Sequence, residues 1–69
     1  MCFATIWIDH GDKTEKVMHD VAYIEVEQDR LVLATLLGEE RFFKNKIKSI
    51  DLLKSSVVLE EGNKKENGK

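Results

Sequence analysis

The sequence predicts an all-β fold: a small antiparallel meander or barrel-like domain of about six short strands. Three observations predict it. Residues 2–8 (CFATIWI) and 21–27 (VAYIEVE) are rich in β-branched and aromatic types, the second run in clear alternation. Turn-forming runs interrupt the apolar segments at short intervals: DHGDK at 9–13, QDR at 28–30 and Gly38-Glu39. The chain has only 69 residues, which suffices for a single domain.

The first strand is predicted over 2–8. With a period of two, Cys2, Ala4, Ile6 and Ile8 share one face, and Phe3, Thr5 and Trp7 share the other. Both faces are therefore apolar. Lys16 to Asp20 is expected to return as a second strand, and Val21 to Glu27 to form a third. Leu31 to Leu37 (LVLATLL) is the fourth, and a charged strand starts near Glu40. Residues 41–54 read two ways. Phe43, Ile47 and Ile50 lie at helical spacing, which suggests a short helical turn near 41–50. Asn45-Lys46 could equally divide two strands. Ser55-Ser56 followed by VVLEE gives the last strand. From Glu61 the chain reads EGNKKENGK, with no apolar residue. Such a segment buries too little surface to offset its ordering entropy. The expected organisation is one β domain over 1–60 and a disordered polar tail over 61–69.

Composition excludes several function classes. Charged residues make up 35% of the chain and the net charge is −2. The tail carries three lysines against two glutamates, which leaves −3 on the body. That balance gives no strong field for nucleic acid or an anionic membrane. No stretch approaches the roughly 20 apolar residues of a membrane span. The opening MCFATIWIDH lacks a basic n-region and a long enough apolar run for a signal peptide. With one free thiol, a cytoplasmic location is the expectation.

A domain this short buries only roughly 60% of its unfolded surface and is marginal alone. Disulfides, metals or partner subunits usually reinforce such scaffolds. One cysteine cannot form a disulfide within the chain. Metal and oligomerisation remain. Phe3 and Trp7 need cover, and a second subunit is the simplest cover.

Cys2 is the leading metal candidate because of its position. Removal of Met1 would place a free α-amine beside the thiol. Both groups ionise within reach of neutral pH, and a metal can displace their protons. Together they close a five-membered chelate ring. Two such pairs, brought together by a dimer axis, would offer two nitrogens and two sulfurs, a set that suits square-planar Ni(II). If Met1 is retained, backbone amide nitrogens could take the place of the amine. Against this stands the ordinary role of a lone strand cysteine as a small buried hydrophobe.

The other candidates are weaker. His10 and His19 are nine residues apart, a spacing that matches no histidine ligand pair. Glu39-Glu40 and Glu60-Glu61 flank turns and strand ends, where solvated charge is expected, and no nucleophile or base partners them. The four glycines are isolated, so there is no phosphate-binding loop. The chain is not expected to be an enzyme. Arg41 to Lys48 (RFFKNKIK) carries +4 with two phenylalanines. Basic aromatic strands hold single-stranded nucleic acid. The alternative site is therefore Arg41, Phe42, Phe43, Lys44, Lys46 and Lys48, serving RNA or a protein partner. A solvated edge strand guarded by lysines is the plainer account, and nucleic acid is the less favoured partner.

The start Met-Cys-Phe-Ala, leading directly into a β-rich strand, resembles the opening of CooT proteins. The block DVAYIEVEQDRLVLATLLGEERFF and the IDLL followed by VVLEE extend the similarity over most of Met1 to Glu61. The resemblance implies a homodimer of small all-β subunits. It implies Ni(II) binding through the cysteine after the initiator Met, Cys2 here. It also implies a role in nickel supply to a client such as carbon monoxide dehydrogenase.

Overall fold

The computed structural model describes residues 3–62. Cys2 and residues 63–69 of the expected tail lie outside the described residues. Six strands form one sheet: β1 (Ala4–Asp9), β2 (Thr14–Val26), β3 (Leu31–Thr35), β4 (Glu40–Phe43), β5 (Ile47–Asp51) and β6 (Ser56–Glu60). There is no helix among the described residues, hence none long and apolar enough to cross a membrane.

Each turn has a local cause. After β1, the Gly11 N–H donates to Asp9 Oδ1 at 2.8 Å, and the His10 N–H to the Lys13 carbonyl at 2.8 Å. An Asx turn of this kind uses a side chain in place of a backbone acceptor. The β2–β3 turn closes with the Glu27 N–H on the Arg30 carbonyl at 2.9 Å. The β3–β4 turn needs Gly38, whose φ of 96° L side chains rarely adopt. In the β5–β6 turn, Asp51 Oδ1 accepts the N–H groups of Leu53 and Lys54 at 3.0 and 3.1 Å.

The strand order is β4-β3-β2-β1-β6-β5. Strands β1 to β4 form the expected meander, but β6 runs parallel to β1, with Ile6 beside Val57 and Ile8 beside Leu59. The sheet is therefore mixed. The two edge strands, β4 and β5, are joined by only three residues, Lys44 to Lys46. Five strand spacings in a flat sheet span about 24 Å. Four residue steps reach at most about 14 Å. The sheet must therefore coil, and its native twist supplies the sense. Coiling brings the edges near each other, yet β4 and β5 are not hydrogen-bonded, so the barrel is not closed.

The core fills the inside of this coil. Ile6, Leu33 and Leu59 are fully buried, and Met18, Val21, Leu31 and Val57 nearly so. Ala4, Ile8, Val17, Ile24, Phe43 and Ile47 pack around them. Each fully buried aliphatic side chain contributes about 1.5–3 kcal/mol of transfer free energy.

Two expectations need correction. Residues 16–20 and 21–27 are not separate strands: they are two halves of the 13-residue β2. Its pairing with β1 slips twice, between Ile6 and Trp7 and between Ala4 and Ile6. The second slip contains Asp20, at φ 58°. A bulge of this kind bends the strand and resets its alternation. Met18 and Val21 both point into the core because of it. The helical turn near 41–50 is also absent. Asn45 is where two strands part, and its Nδ2 donates to the Glu60 carbonyl at 2.8 Å. Phe43 and Ile47 both meet the core, from β4 and β5 on opposite edges of the coil.

Candidate functional site

The pairing register shows which segments flank the start of β1. Ala4 pairs with Val21, and Val21 pairs with Thr35. Thr5 pairs with Ser56 and donates its N–H to the Ser55 carbonyl at 2.9 Å. The start of β1 therefore lies beside the β2 bulge on one side and the β5–β6 turn on the other. Phe3, the first described residue, lies at this end and is partly exposed. It lines a groove of about 490 Å³ together with His19 and Asp20 of the bulge, Leu36 and Leu37 of the β3–β4 turn, and Arg41. His19 Nδ1 lies 3.2 Å from Asp20 Oδ2, both well exposed.

The opposite end is polar. His10 sits between two carboxylates, with Nδ1 2.8 Å from Glu61 Oε2 and Nε2 2.9 Å from Glu15 Oε1. Hydrogen bonding to Glu61 first, and to Glu15 next, raises its pKa above the ordinary value. Beside it, Lys48 Nζ donates to Asp9 Oδ2 at 2.6 Å. That bond, with a second from the Gly11 N–H, holds the Asp9 carboxyl below its usual range and raises Lys48. The two histidines thus occupy opposite ends of β1. Among the described residues no three His, Cys, Asp or Glu side chains cluster so as to hold a metal ion.

The basic aromatic segment is divided by the fold. Arg41, Phe42 and Phe43 lie on β4, Lys44 and Lys46 in the connection, and Lys48 on β5. Phe42, Lys44, Lys46 and Lys48 do not share one strand face, because the strand ends at Phe43 and a new one starts at Ile47. Arg41 is turned to structural work: Nη1 donates to the Val17 carbonyl at 2.8 Å, and the guanidinium lies 5.1 Å from the Phe43 ring centroid. Phe42 carries the Arg30 guanidinium at 4.5 Å.

Sequence reasoning missed the leucine pairs at two turn tips, Leu36-Leu37 and Leu52-Leu53. The signal was present: each pair sits beside a turn-forming residue, Gly38 or Asp51, where polar types are usual.

The family model for the CO dehydrogenase accessory protein CooT matches residues 1–60 of this chain. The chain belongs to the CooT family. The matched span begins before Cys2 and ends on Glu60, the last residue of β6. A crystal structure of a CooT candidate from Carboxydothermus hydrogenoformans superposes with a TM-score of 0.80 at 30% identity. The match covers 88% of this chain and 98% of that one. No curated protein matches the chain significantly. The CooT family is thus the accessory-protein family of CO dehydrogenase, and its coiled six-stranded sheet is the scaffold described above.

Proposed function

We propose that this CooT protein is a Ni(II)-binding accessory protein that acts as a homodimer, carries nickel on Cys2 at the dimer interface and supplies it to CO dehydrogenase. The observation that carries the proposal is the family match, which spans residues 1–60 and so includes the Met-Cys start. Nickel is cargo here. The donor chemistry of Cys2 fits it: a thiolate and an adjacent nitrogen form one chelate per chain, and two chains complete a planar set. Phe3, the next residue in sequence, is partly exposed.

Accessory function needs a site that loads and releases. One soft thiolate per chain, shared across a dimer, suits release better than a closed four-thiolate cage within one chain. Thiol and amine must lose protons to bind, so affinity weakens as pH falls below about 7.

The test is a Ni(II) titration of the apo-protein, followed by thiolate-to-nickel charge-transfer absorption, with Cys2→Ser beside it and Met1 status checked by mass. Saturation at one nickel per two chains, abolished in the variant, is expected. Full binding by Cys2→Ser, or an affinity unchanged from pH 6 to 8, would overturn the assignment.

A further inference from the structure

Where β1 ends, the chain's first turn meets the point at which its last strand leaves the sheet. Asp9 pairs with Glu60 in the parallel β1–β6 ladder, and continuing that register sets His10 beside Glu61. Glu15 comes to the same ring from β2, where it pairs with Ile8. The turn that carries the ring is fixed: the His10 N–H donates to the Lys13 carbonyl, and the Gly11 N–H to Asp9 Oδ1. The ring then has Nδ1 2.8 Å from Glu61 Oε2 and Nε2 2.9 Å from Glu15 Oε1. Asp9, Lys48 and Glu60 line the same notch, where Lys48 is engaged by Asp9. The anchors of β6 lie one residue earlier in the chain. The Glu60 N–H donates to the Lys46 carbonyl, and Asn45 Nδ2 to the Glu60 carbonyl. Glu61 is the first residue past those anchors, and its carboxylate is on the His10 ring.

We infer that His10 is a proton-operated clasp: charged, it docks the chain's C-terminal exit, Glu61-Gly62, on the first turn, and neutral, it lets that exit go. Two carboxylates face the two ring nitrogens, and a carboxylate only accepts. The charged ring donates to both. The neutral ring has one N–H and turns a lone pair toward the other carboxylate. Glu15 is the partner kept, since it sits five residues away on the same hairpin. Glu61 is 51 residues away, and holding the chain's exit in place costs conformational entropy. Charge acts in the same direction. Once the ring is neutral, the carboxylates of Asp9, Glu15, Glu60 and Glu61 face Lys48 as the notch's one cation among the described residues. Like charges then push Glu61 outward. The same two hydrogen bonds raise the His10 pKa, Glu61 more than Glu15, so the clasp opens as pH rises through a midpoint above the ordinary 6.5. β6 keeps its Lys46 and Asn45 anchors in both states, so the opening is local. The clasp lies at the far end of β1 from Phe3 and does not depend on the proposed nickel site.

The experiment is an NMR titration of the full-length protein from about pH 5.5 to about 8.5, which brackets histidine ionisation. It reads the His10 ring proton, assigned by its loss in His10→Gln, and the backbone amides of Gly62 and Leu59. The Gly62 amide should follow His10 with the same midpoint. Its order parameter should fall from about 0.85 to below about 0.6 as pH rises, while Leu59, in β6, stays rigid. Glu15→Gln should lock the clasp. Its amide N–H serves the neutral Nε2 while the Nδ1–H still reaches Glu61, so Gly62 is rigid at both ends of the range. Glu61→Gln, whose amide can donate or accept, should make the Gly62 response independent of pH and lower the His10 midpoint. A Gly62 amide that stays rigid, or stays mobile, across the wild-type His10 titration overturns the clasp. So does a Leu59 amide that loosens together with Gly62, because the sheet itself would then be opening. A Glu15→Gln protein that still frees Gly62 when His10 loses its proton overturns it as well.

Discussion

His10 Nδ1 lies 2.8 Å from Glu61 Oε2, tying the first turn of the chain to the segment just after its last strand. The other ring nitrogen faces Glu15. A neutral imidazole has only one N–H, and a carboxylate can only accept. Both contacts are hydrogen bonds only when His10 is charged. Asp9, Lys48 and Glu60 complete the charged surroundings. His10 should therefore titrate above its ordinary 6.5. The raised pKa fixes the sign. Its contribution to stability is complete below the unfolded value and is lost as pH rises through the folded one. A histidine NMR titration checks the midpoint, and melts from pH 6 to 8 should fall in wild type but stay flatter in His10→Gln. A midpoint at or below 6.5 would sink the prediction.

Leu33 is fully buried at the centre of the core. Leu33→Ala should cost about 2–5 kcal/mol. A chain this size has roughly 3–10 kcal/mol in all. The variant should be largely unfolded or close to it at 37 °C. Val26→Ala, at an exposed position of β2, should cost well under about 1 kcal/mol. Urea unfolding measures both, and equal costs would mean the core is misplaced.

Gly38 has a φ of 96° and open space where a Cβ would stand. Gly38→Ala therefore tests backbone strain alone, and should destabilise by about 1–2 kcal/mol. Ser55, at φ 52°, is the reverse case. Ser55→Gly should stabilise by up to about 1 kcal/mol. Opposite shifts in Tm are expected, and shifts of the same sign would contradict the turn geometry.

Arg41 bridges β4 to the bulged part of β2, past the intervening β3. Lysine keeps the charge but not the planar fork that donates to Val17 while lying over Phe43. Arg41→Lys should lose about 1 kcal/mol, or roughly 4–8 °C in Tm for a domain this size. An unchanged Tm would show that the guanidinium contacts do not stabilise the fold.

Much of the fold was legible in the residues. Alternation in 21–27 and the turn signals at 9–13, 28–30 and 38–39 all mark real strand ends. The count of six also matches, but by two compensating differences. β2 was read as two strands because a bulge around Asp20 breaks its period, and a bulge leaves no composition signal. β5 was only one of two readings of 41–54, because Ile47 is half-buried and Ile50 exposed on an edge strand, so the segment shows no alternation. The apparent helical spacing of Phe43 and Ile47 arises because coiling brings two edge strands to one core. The parallel β1–β6 contact was not legible either, since nothing local specifies a partner that distant. For the site, the Met-Cys start carried the family, whereas the exposure of the leucine pairs shows only once the turns are placed.

The pairing of Ile6 with Val57 also governs when this protein can exist. β1 pairs with β2 on one side, but its other neighbour, β6, comes about 50 residues later. The core therefore cannot close until β6 has been made, and a chain truncated before it would keep one side of β1 open. Such late, long-range pairing slows folding and lengthens the time that β1 is available to wrong partners. The arrival of β6, more than any local hairpin, lets the sheet form as a whole.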